Sequence, residues 1–213
     1  MSAQRTVSPL CFLTDFSGGS DRLRNFLAAG ILWIQYRDKT SRRRDLFKNA
    51  ELIRALTFEY GAFFTVNDHA DIAAAVRADG LHLGQEDLPI RAARKVFRHG
   101  VIGVSTHSKD EALQAVAAGA DYIGAGPVYP TTTKNAGPPR GVEALAELKE
   151  IVTIPIIAIG GITPERCAEL ANAGSSGVGV ASALCGPAAD PPDHWLKSIE
   201  VFPSLELRSM PSA

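Results

Sequence analysis

The chain has 213 residues, 46% of them hydrophobic and 21% charged, a length suited to one domain and a composition able to bury one sizeable core. Its 22 Lys and Arg against 23 Asp and Glu give a formal net charge of -1. That balance excludes the basic field needed to track a nucleic-acid backbone, and the composition excludes a disordered chain, so any anion it binds is expected to be small and locally held.

Short runs rich in Val, Ile, Leu and Phe alternate with longer amphipathic stretches, the pattern of βαβ units and a parallel sheet. Eight such runs occur, at 10–14, 31–36, 63–67, 80–83, 101–105, 122–124, 155–159 and 177–180, each followed by helical periodicity or a loop leading into it. Eight repeats predict an α/β fold, a closed (β/α)8 TIM barrel with phosphate-binding loops after the seventh and eighth strands. Ala29-Gly30, Ala118-Gly119 and Ala173-Gly174 stand just before strands and are expected to end helices in the left-handed conformation, while Thr163-Pro164-Glu165 reads as an N-cap, a first-turn proline and a first-turn acid. The alternative, an open doubly wound sheet, would carry a glycine-rich loop after its first strand, which Phe16-Ser17-Gly18-Gly19-Ser20 fits only loosely. One domain is expected over 1–213, with its core at 10–201 and a frayed tail at 202–213.

The opening MSAQRTVSPL lacks the charged-then-apolar order of a signal segment and no apolar run reaches bilayer length, so a cytoplasmic protein without membrane contact is expected. Cys11, Cys167 and Cys185 lack the spacing of a zinc or redox motif and read as reduced, buried side chains.

In a barrel the active site lies at the carboxyl ends of the strands. Gln35, Arg37 and Lys39 leave the second run, Asn67 and Asp68 end the third, and Asp87 follows the fourth. Ser105 closes the fifth, Thr131, Thr133 and Lys134 follow the sixth, Gly160-Gly161 the seventh and Ala181-Ser182 the eighth. Asp68 and Asp87 suit Mg²⁺, which takes one or two carboxylates together with water and phosphate oxygens. Arg37, Lys39 and Lys134 would surround the same anion, and the paired glycines with Ser182 would let backbone N–H groups approach a second phosphate. Two anion sites on one rim are therefore expected. With no GxSxG and no cysteine placed beside a histidine, positioning and charge stabilisation are favoured over covalent catalysis.

The segments QYRDK, VNDHADIA, ADGLHLGQED, GVSTHS, DYIGAGPVYPTTTK, IAIGGIT and GVGVAS stand in the order and spacing of thiamine-phosphate synthases, and the chain resembles that family from residue 10 to residue 182. The resemblance implies a Mg²⁺-dependent transferase of thiamine biosynthesis that joins hydroxymethylpyrimidine pyrophosphate to hydroxyethylthiazole phosphate, or its carboxylated form. It implies further that pyrophosphate leaves first and that the thiazole nitrogen traps a pyrimidine cation. It implies that Gln35, Tyr36, Arg37, Asp38, Lys39, Asn67, Ser105 and Lys134 hold the pyrimidine pyrophosphate, with Arg37, Lys39, Ser105 and Lys134 catalytic. Asp68 and Asp87 would hold Mg²⁺, and Thr131, Thr132, Thr133, Gly161, Ala181 and Ser182 the thiazole phosphate. Ala181 departs from the family pattern, where a larger Val or Ile precedes the serine. The expected partners are these small molecules, and a homo-oligomer is compatible with the chain.

Plainer roles compete at several positions. Asp68 would equally cap the ADIAAAV helix, and His82, inside a strand, reads as a hydrogen-bonded core residue. His107 is divided between substrate contact and a solvent-facing helix start, and Arg42-Arg43-Arg44 reads as a solvated face. Two other functions fit the same barrel, a thiazole tautomerase and a catalytically silent binder of thiamine intermediates. Arg37, Lys39, Asn67, Asp68, Asp87 and Lys134 together argue against the first, since an isomerase has no leaving pyrophosphate to neutralise, and the kept carboxylates argue against the second.

Overall fold

Parallel strands are covered on both faces, and all eight apolar runs are used in that way in the computed structural model, which describes residues 4–131, 137–184 and 190–208. Strands β2 (Leu10–Thr14), β3 (Trp33–Tyr36), β4 (Phe63–Asn67), β5 (Gly80–Leu83), β6 (Val101–Thr106), β7 (Tyr122–Ala125), β8 (Ile156–Ile159) and β9 (Gly177–Val180) pair in chain order. The last returns to the first, with Leu10 opposite Val178 and Phe12 opposite Val180, so the sheet is a closed parallel barrel and the open-sheet alternative fails. Helices α1 (Gly19–Ala28), α2 (Arg43–Glu59), α3 (Ala70–Ala75), α4 (Ile90–Val96), α5 (Lys109–Ala118), α6 (Glu143–Ile151), α7 (Cys167–Asn172) and α8 (Pro192–Ser198) intervene between or follow the strands. Gly30, Gly119 and Gly174 hold φ of 102°, 91° and 92°, as the Ala-Gly pairs predict. Thr163 has the extended N-cap backbone, although the turn it opens is 3-10 before it becomes α7.

Alternate residues of each strand face opposite ways. The outward set, including Phe12, Ile34, Phe64, Leu81, Ile102, Ile123 and Val178, packs with helix residues such as Leu27, Ile53, Ala93 and Leu170. The inward set changes character along the barrel axis. At the amino-terminal end it is Cys11, Trp33, Phe63, Val101, Tyr122 and Ile157, a mainly apolar plug. Two residues further on, the same faces of β3 and β6 carry Gln35, Gly103 and then Ser105, and β4 carries Thr65 and then Asn67. The open end is thus polar by strand position.

The closed end is fastened by a device used three times. Asp79, just before β5, accepts the Phe64 N–H at 2.9 Å and pairs with Arg54 of α2 at 2.8 Å. Asp121, just before β7, repeats this with the Ile102 N–H at 2.6 Å and Arg94 of α4. Before β9 a neutral version appears, with Ser176 accepting the Ile156 N–H at 3.4 Å and Ser175 the Ala158 N–H at 3.2 Å. Each ties the start of a strand to a preceding neighbour, and the two aspartates also clamp a helix. Burial pushes the Asp121 carboxyl above its ordinary range, against the pull of the Ile102 N–H and Arg94.

The expected fraying of 202–213 is corrected for the described part of that stretch. Phe202 is buried, and β10 (Leu205–Arg208) pairs antiparallel with β1 (Gln4–Val7), with Thr6 opposite Glu206 and their side chains bonded at 2.7 Å. The reason is hydrophobic: Leu205 and Leu207, only 2% and 0% exposed, join Val7 against the inward plug of Trp33, Phe63 and Tyr122. Arg5 adds a 2.6 Å bond to Asp79. Cys11 and Cys167 are buried and unpaired as expected, while Cys185 lies outside the described residues. No helix among the described residues is long and apolar enough to cross a membrane.

Two stability measurements check this reading. In urea titrations Asp121→Ala is expected to lose about 3 kcal/mol, because it leaves a largely buried Arg94 without its counter-charge and a strand N–H without its acceptor. A chain ending at Ser204 is expected to lose about 4 kcal/mol or more, since two fully covered leucines go with it; unchanged midpoints would show that neither fastening matters.

Candidate functional site

A cavity of about 450 Å³ opens at the carboxyl ends of the barrel strands. One side is formed by Gln35, Arg37, Asp38, Lys39, Asn67 and Ser105, and the other by Thr131, Gly161, Ala181 and Ser182. Residues expected to meet two different anions therefore line a single space.

On the first side a chain of hydrogen bonds rises out of the barrel. The Cys11 thiol donates to Gln35 Oε1 at 3.5 Å, Gln35 Nε2 donates to Asn67 Oδ1 at 2.7 Å, and Asn67 Nδ2 donates to Asp68. Each amide has its oxygen down and its nitrogen up, and the chain ends on a carboxylate, the one group that accepts without donating. Lys39 bonds the same carboxylate from the rim. Asp68 sits in the left-handed region, φ 66°, with its N–H bonded to the His82 carbonyl at 2.8 Å. Aspartate tolerates that conformation better than most residues, and it turns the side chain back over the barrel. The helix-cap role does not materialise: α3 begins after His69 and has no side-chain cap.

Asp87 reaches Asp68 from the next strand end, and its Oδ2 accepts the Gly84 N–H at 2.6 Å. The pair splits in acidity. Burial pushes both carboxyls up, and the neighbouring Asp68 pushes Asp87 further, whereas hydrogen bonds from Asp87, Lys39 and Asn67 carry Asp68 below its ordinary range. Two facing carboxylates that resist ionising together are a donor set suited to a hard divalent cation. No group of three or more His, Cys, Asp or Glu side chains is placed to ligate a metal among the described residues, so such an ion would need ligand or water oxygens as well. Both aspartates stand beside the cavity and reach it through Lys39 and Asn67 rather than lining it.

The other side is mostly backbone. Gly160 and Gly161 have φ of 96° and 63°, and a Cβ on Gly161 would lie 2.4 Å from the Pro130 carbonyl oxygen. Glycine is required there first by the close approach of the loop after β7, and the same bareness opens the peptide groups to the cavity. Ser182 starts one 3-10 turn after β9.

Tyr36 is not brought into the cavity. Because Gln35 points inward, Tyr36 points outward, where its hydroxyl bonds Asn49 and Asp38, each at 3.3 Å, and burial pushes the phenol up to about 12. Asp38 lines the cavity, yet its Oδ1 is taken up by the Thr40 N–H at 2.9 Å and the Ser41 N–H at 3.0 Å. Burial opposes its charge, but these and the hydroxyl bonds of Ser41 and Thr40 make the carboxyl more acidic and bring its pKa down to about 2. It shapes the loop that carries Lys39. Thr132, Thr133 and Lys134 lie outside the described residues.

Sequence reasoning missed Thr14, Asp15 and Ser17, which bring the end of the first barrel strand to the cavity as well. The signal was the polar pair Thr14-Asp15 at the end of the first run, while the glycine-rich reading was confined to Phe16-Ser17-Gly18-Gly19-Ser20. His107 also faces the cavity. Its Nδ1 donates to the Gly126 carbonyl at 2.7 Å and its backbone N–H to Glu111 at 2.5 Å, so both contact with the cavity and a helix-start bond are realised in one residue.

Fold and rim together define a (β/α)8 barrel whose open end holds a cavity lined by Arg37, Lys39 and glycine-rich turns. The profile of the family described as Thiamine monophosphate synthase matches residues 14–184, and the chain belongs to that family. It is 47% identical over 180 residues to a thiamine-phosphate synthase of Moorella thermoacetica, covering 82% of this chain and 86% of that protein. A thiamine-phosphate synthase of Chlorobium luteolum is 44% identical over 193 residues, covering 89% and 90%. Among solved structures, thiamine phosphate pyrophosphorylase from Pyrococcus furiosus superposes with a TM-score of 0.83 at 37% identity, covering 91% of this chain and 96% of that one.

Gly161→Ala tests how the second side is built. A methyl group there meets the Pro130 carbonyl and forces an unfavourable φ, so a loss of about 2 kcal/mol in thermal or urea unfolding is expected, with shifted amide signals at Tyr129 and Pro130's neighbours. An unperturbed spectrum and midpoint would show that the loop yields freely.

Proposed function

We propose that this chain is a thiamine-phosphate synthase, condensing hydroxymethylpyrimidine pyrophosphate with hydroxyethylthiazole phosphate to give thiamine phosphate and pyrophosphate. The observation that carries the reading is one cavity lined both by Arg37 and Lys39 and by the 160–161 and 181–182 backbone, in a chain of this family. A pyrophosphate bearing several charges needs side-chain cations, which Arg37 and Lys39 supply; a phosphate monoester is held well by backbone N–H groups, which the 160–161 and 181–182 segments offer. Binding in one cavity brings the reacting carbon and nitrogen between the two anions.

In this reading Arg37 and Lys39 bind the pyrophosphate and stabilise the charge that grows on it as the carbon–oxygen bond breaks and the electron pair leaves with the oxygen. The thiazole ring nitrogen then forms the new carbon–nitrogen bond. Gln35, held by Cys11 and Asn67, and Ser105 orient the pyrimidine, while Lys134 is assigned to the same pyrophosphate from the loop after β7. Asp68 and Asp87 would hold Mg²⁺, which when bound supplies charge neutralisation at the leaving oxygens. Ala181, small where the family carries a larger residue, gives the thiazole phosphate its backbone with little side-chain contact. Opposed to the tautomerase alternative is the cost of crowding Lys39, Asp68 and Asp87 together from three neighbouring strand ends, which an isomerisation without a leaving anion does not use.

The test is direct: purified protein with both substrates, with and without Mg²⁺, assayed for thiamine phosphate and pyrophosphate. Equal, Mg²⁺-dependent formation of both is expected, and Asp87→Ala and Lys134→Ala should each lower turnover at least about a hundredfold with the fold retained. Neither product, with isomerisation of a thiazole carboxylate instead, would transfer the chain to the tautomerase reading.

A further inference from the structure

His82 occupies the inward position of β5, 8% exposed, with both ring nitrogens engaged. Nδ1 is 3.0 Å from the Tyr122 hydroxyl and Nε2 is 2.9 Å from Ser105 Oγ. A ring with one proton donates from one nitrogen and accepts at the other, so the direction of this chain is set by whichever partner has least choice. Tyr122 is that partner. It is 2% exposed at the plug end of the barrel, and its ring is gripped edge-on by Trp33 at 5.5 Å between centroids. A Cβ on Gly103 would fall 2.0 Å from the Tyr122 ring, and one on Gly124 would fall 3.2 Å from His82, so both rings are seated in room left by glycines. Burial holds the phenol well above its ordinary range, keeping the hydroxyl proton in place. A buried O–H without an acceptor costs about 1–3 kcal/mol, and the acceptor this one meets is His82 Nδ1.

It follows that Nδ1 accepts, Nε2 carries the ring proton, and Ser105 Oγ accepts from it. The Ser105 proton is then turned away from the barrel axis partner and toward the cavity that Ser105 lines. We propose that Tyr122 and His82 are positioning residues that fix Ser105 as a hydrogen-bond donor, so that this serine recognises an acceptor atom of the substrate and discriminates against a donor in its place. Tyr122 stays in the plug below the cavity, and His82, which lines the cavity beside Ser105, sets the direction of the serine's hydrogen bond. The inference rests on the synthase reading only for the identity of that substrate.

The direction of the chain is measured in the free protein. With ¹⁵N-labelled histidine at neutral pH, the His82 signals should report a proton on Nε2 and a bare Nδ1; a proton on Nδ1 would overturn the proposal, whatever the chain catalyses. Tyr122→Phe should release the tautomer, giving signals of both forms, and lower kcat/KM about tenfold, the worth of one misdirected hydrogen bond. In a Ser105→Ala background the same substitution should change kcat/KM no further. An equal loss in both backgrounds would mean that Tyr122 acts through packing alone. A wild-type chain that forms no thiamine phosphate would defeat the preceding functional reading and leave the tautomer result standing.

Discussion

A strand in a closed barrel sends every second side chain into a space that water enters from one end only. Everything placed there must be apolar or must find its hydrogen bonds among the other inward residues. The chain meets this by grading its inward positions, from the aromatic and aliphatic plug around Trp33 and Phe63 to the amides and hydroxyls of Gln35, Asn67, His82 and Ser105. Above them stand the charged groups, on loops where solvent and ligand reach them. The gradient makes one end of the barrel a foundation and the other a reaction vessel.

Within that gradient the polar side chains are ordered by direction as well as by pairing. Cys11, Gln35, Asn67 and Asp68 form one line in which each donor points up the barrel to the next acceptor. A line of this kind has no equivalent alternative arrangement, because a reversed amide would meet donor with donor. Rigidity at the site thus comes from hydrogen-bond polarity, in a place where apolar packing has already given way to a cavity.

Much of this was legible in the sequence because parallel strands, covered on both faces, leave continuous apolar runs of a length that helices do not imitate. The eight strands and the polar residues following them appear where the runs end. What escaped has physical reasons. LELR at 205–208 is a four-residue alternation too short to stand out, and its partner strand is about two hundred positions away, beyond any local pattern. Tyr36 was carried into the site with its motif, although strand alternation with an inward Gln35 already sends it outward. Ser17 was hidden by the search for a glycine-rich loop, and Thr14 and Asp15 were given no role although they stand at a strand end like the others. His82 was rightly read as a satisfied core histidine, but its partners, Tyr122 and Ser105, become neighbours only when the strands are laid side by side.

The pairing of β1 with β10 has a temporal side. Val7 and its neighbours are made early, yet the strand they belong to has no hydrogen-bonding partner until residues 205–208 exist. Throughout synthesis β1 is an unpaired edge, and the apolar floor beneath it, from Cys11 to Ile157, lies open to water. Barrel closure needs only residues 177–180, whereas floor sealing waits for residues 205–208, the strand pairing of greatest sequence separation in the fold. During that interval the nascent chain offers a sticky strand and a greasy basin at the same place, the combination to which holding chaperones are drawn.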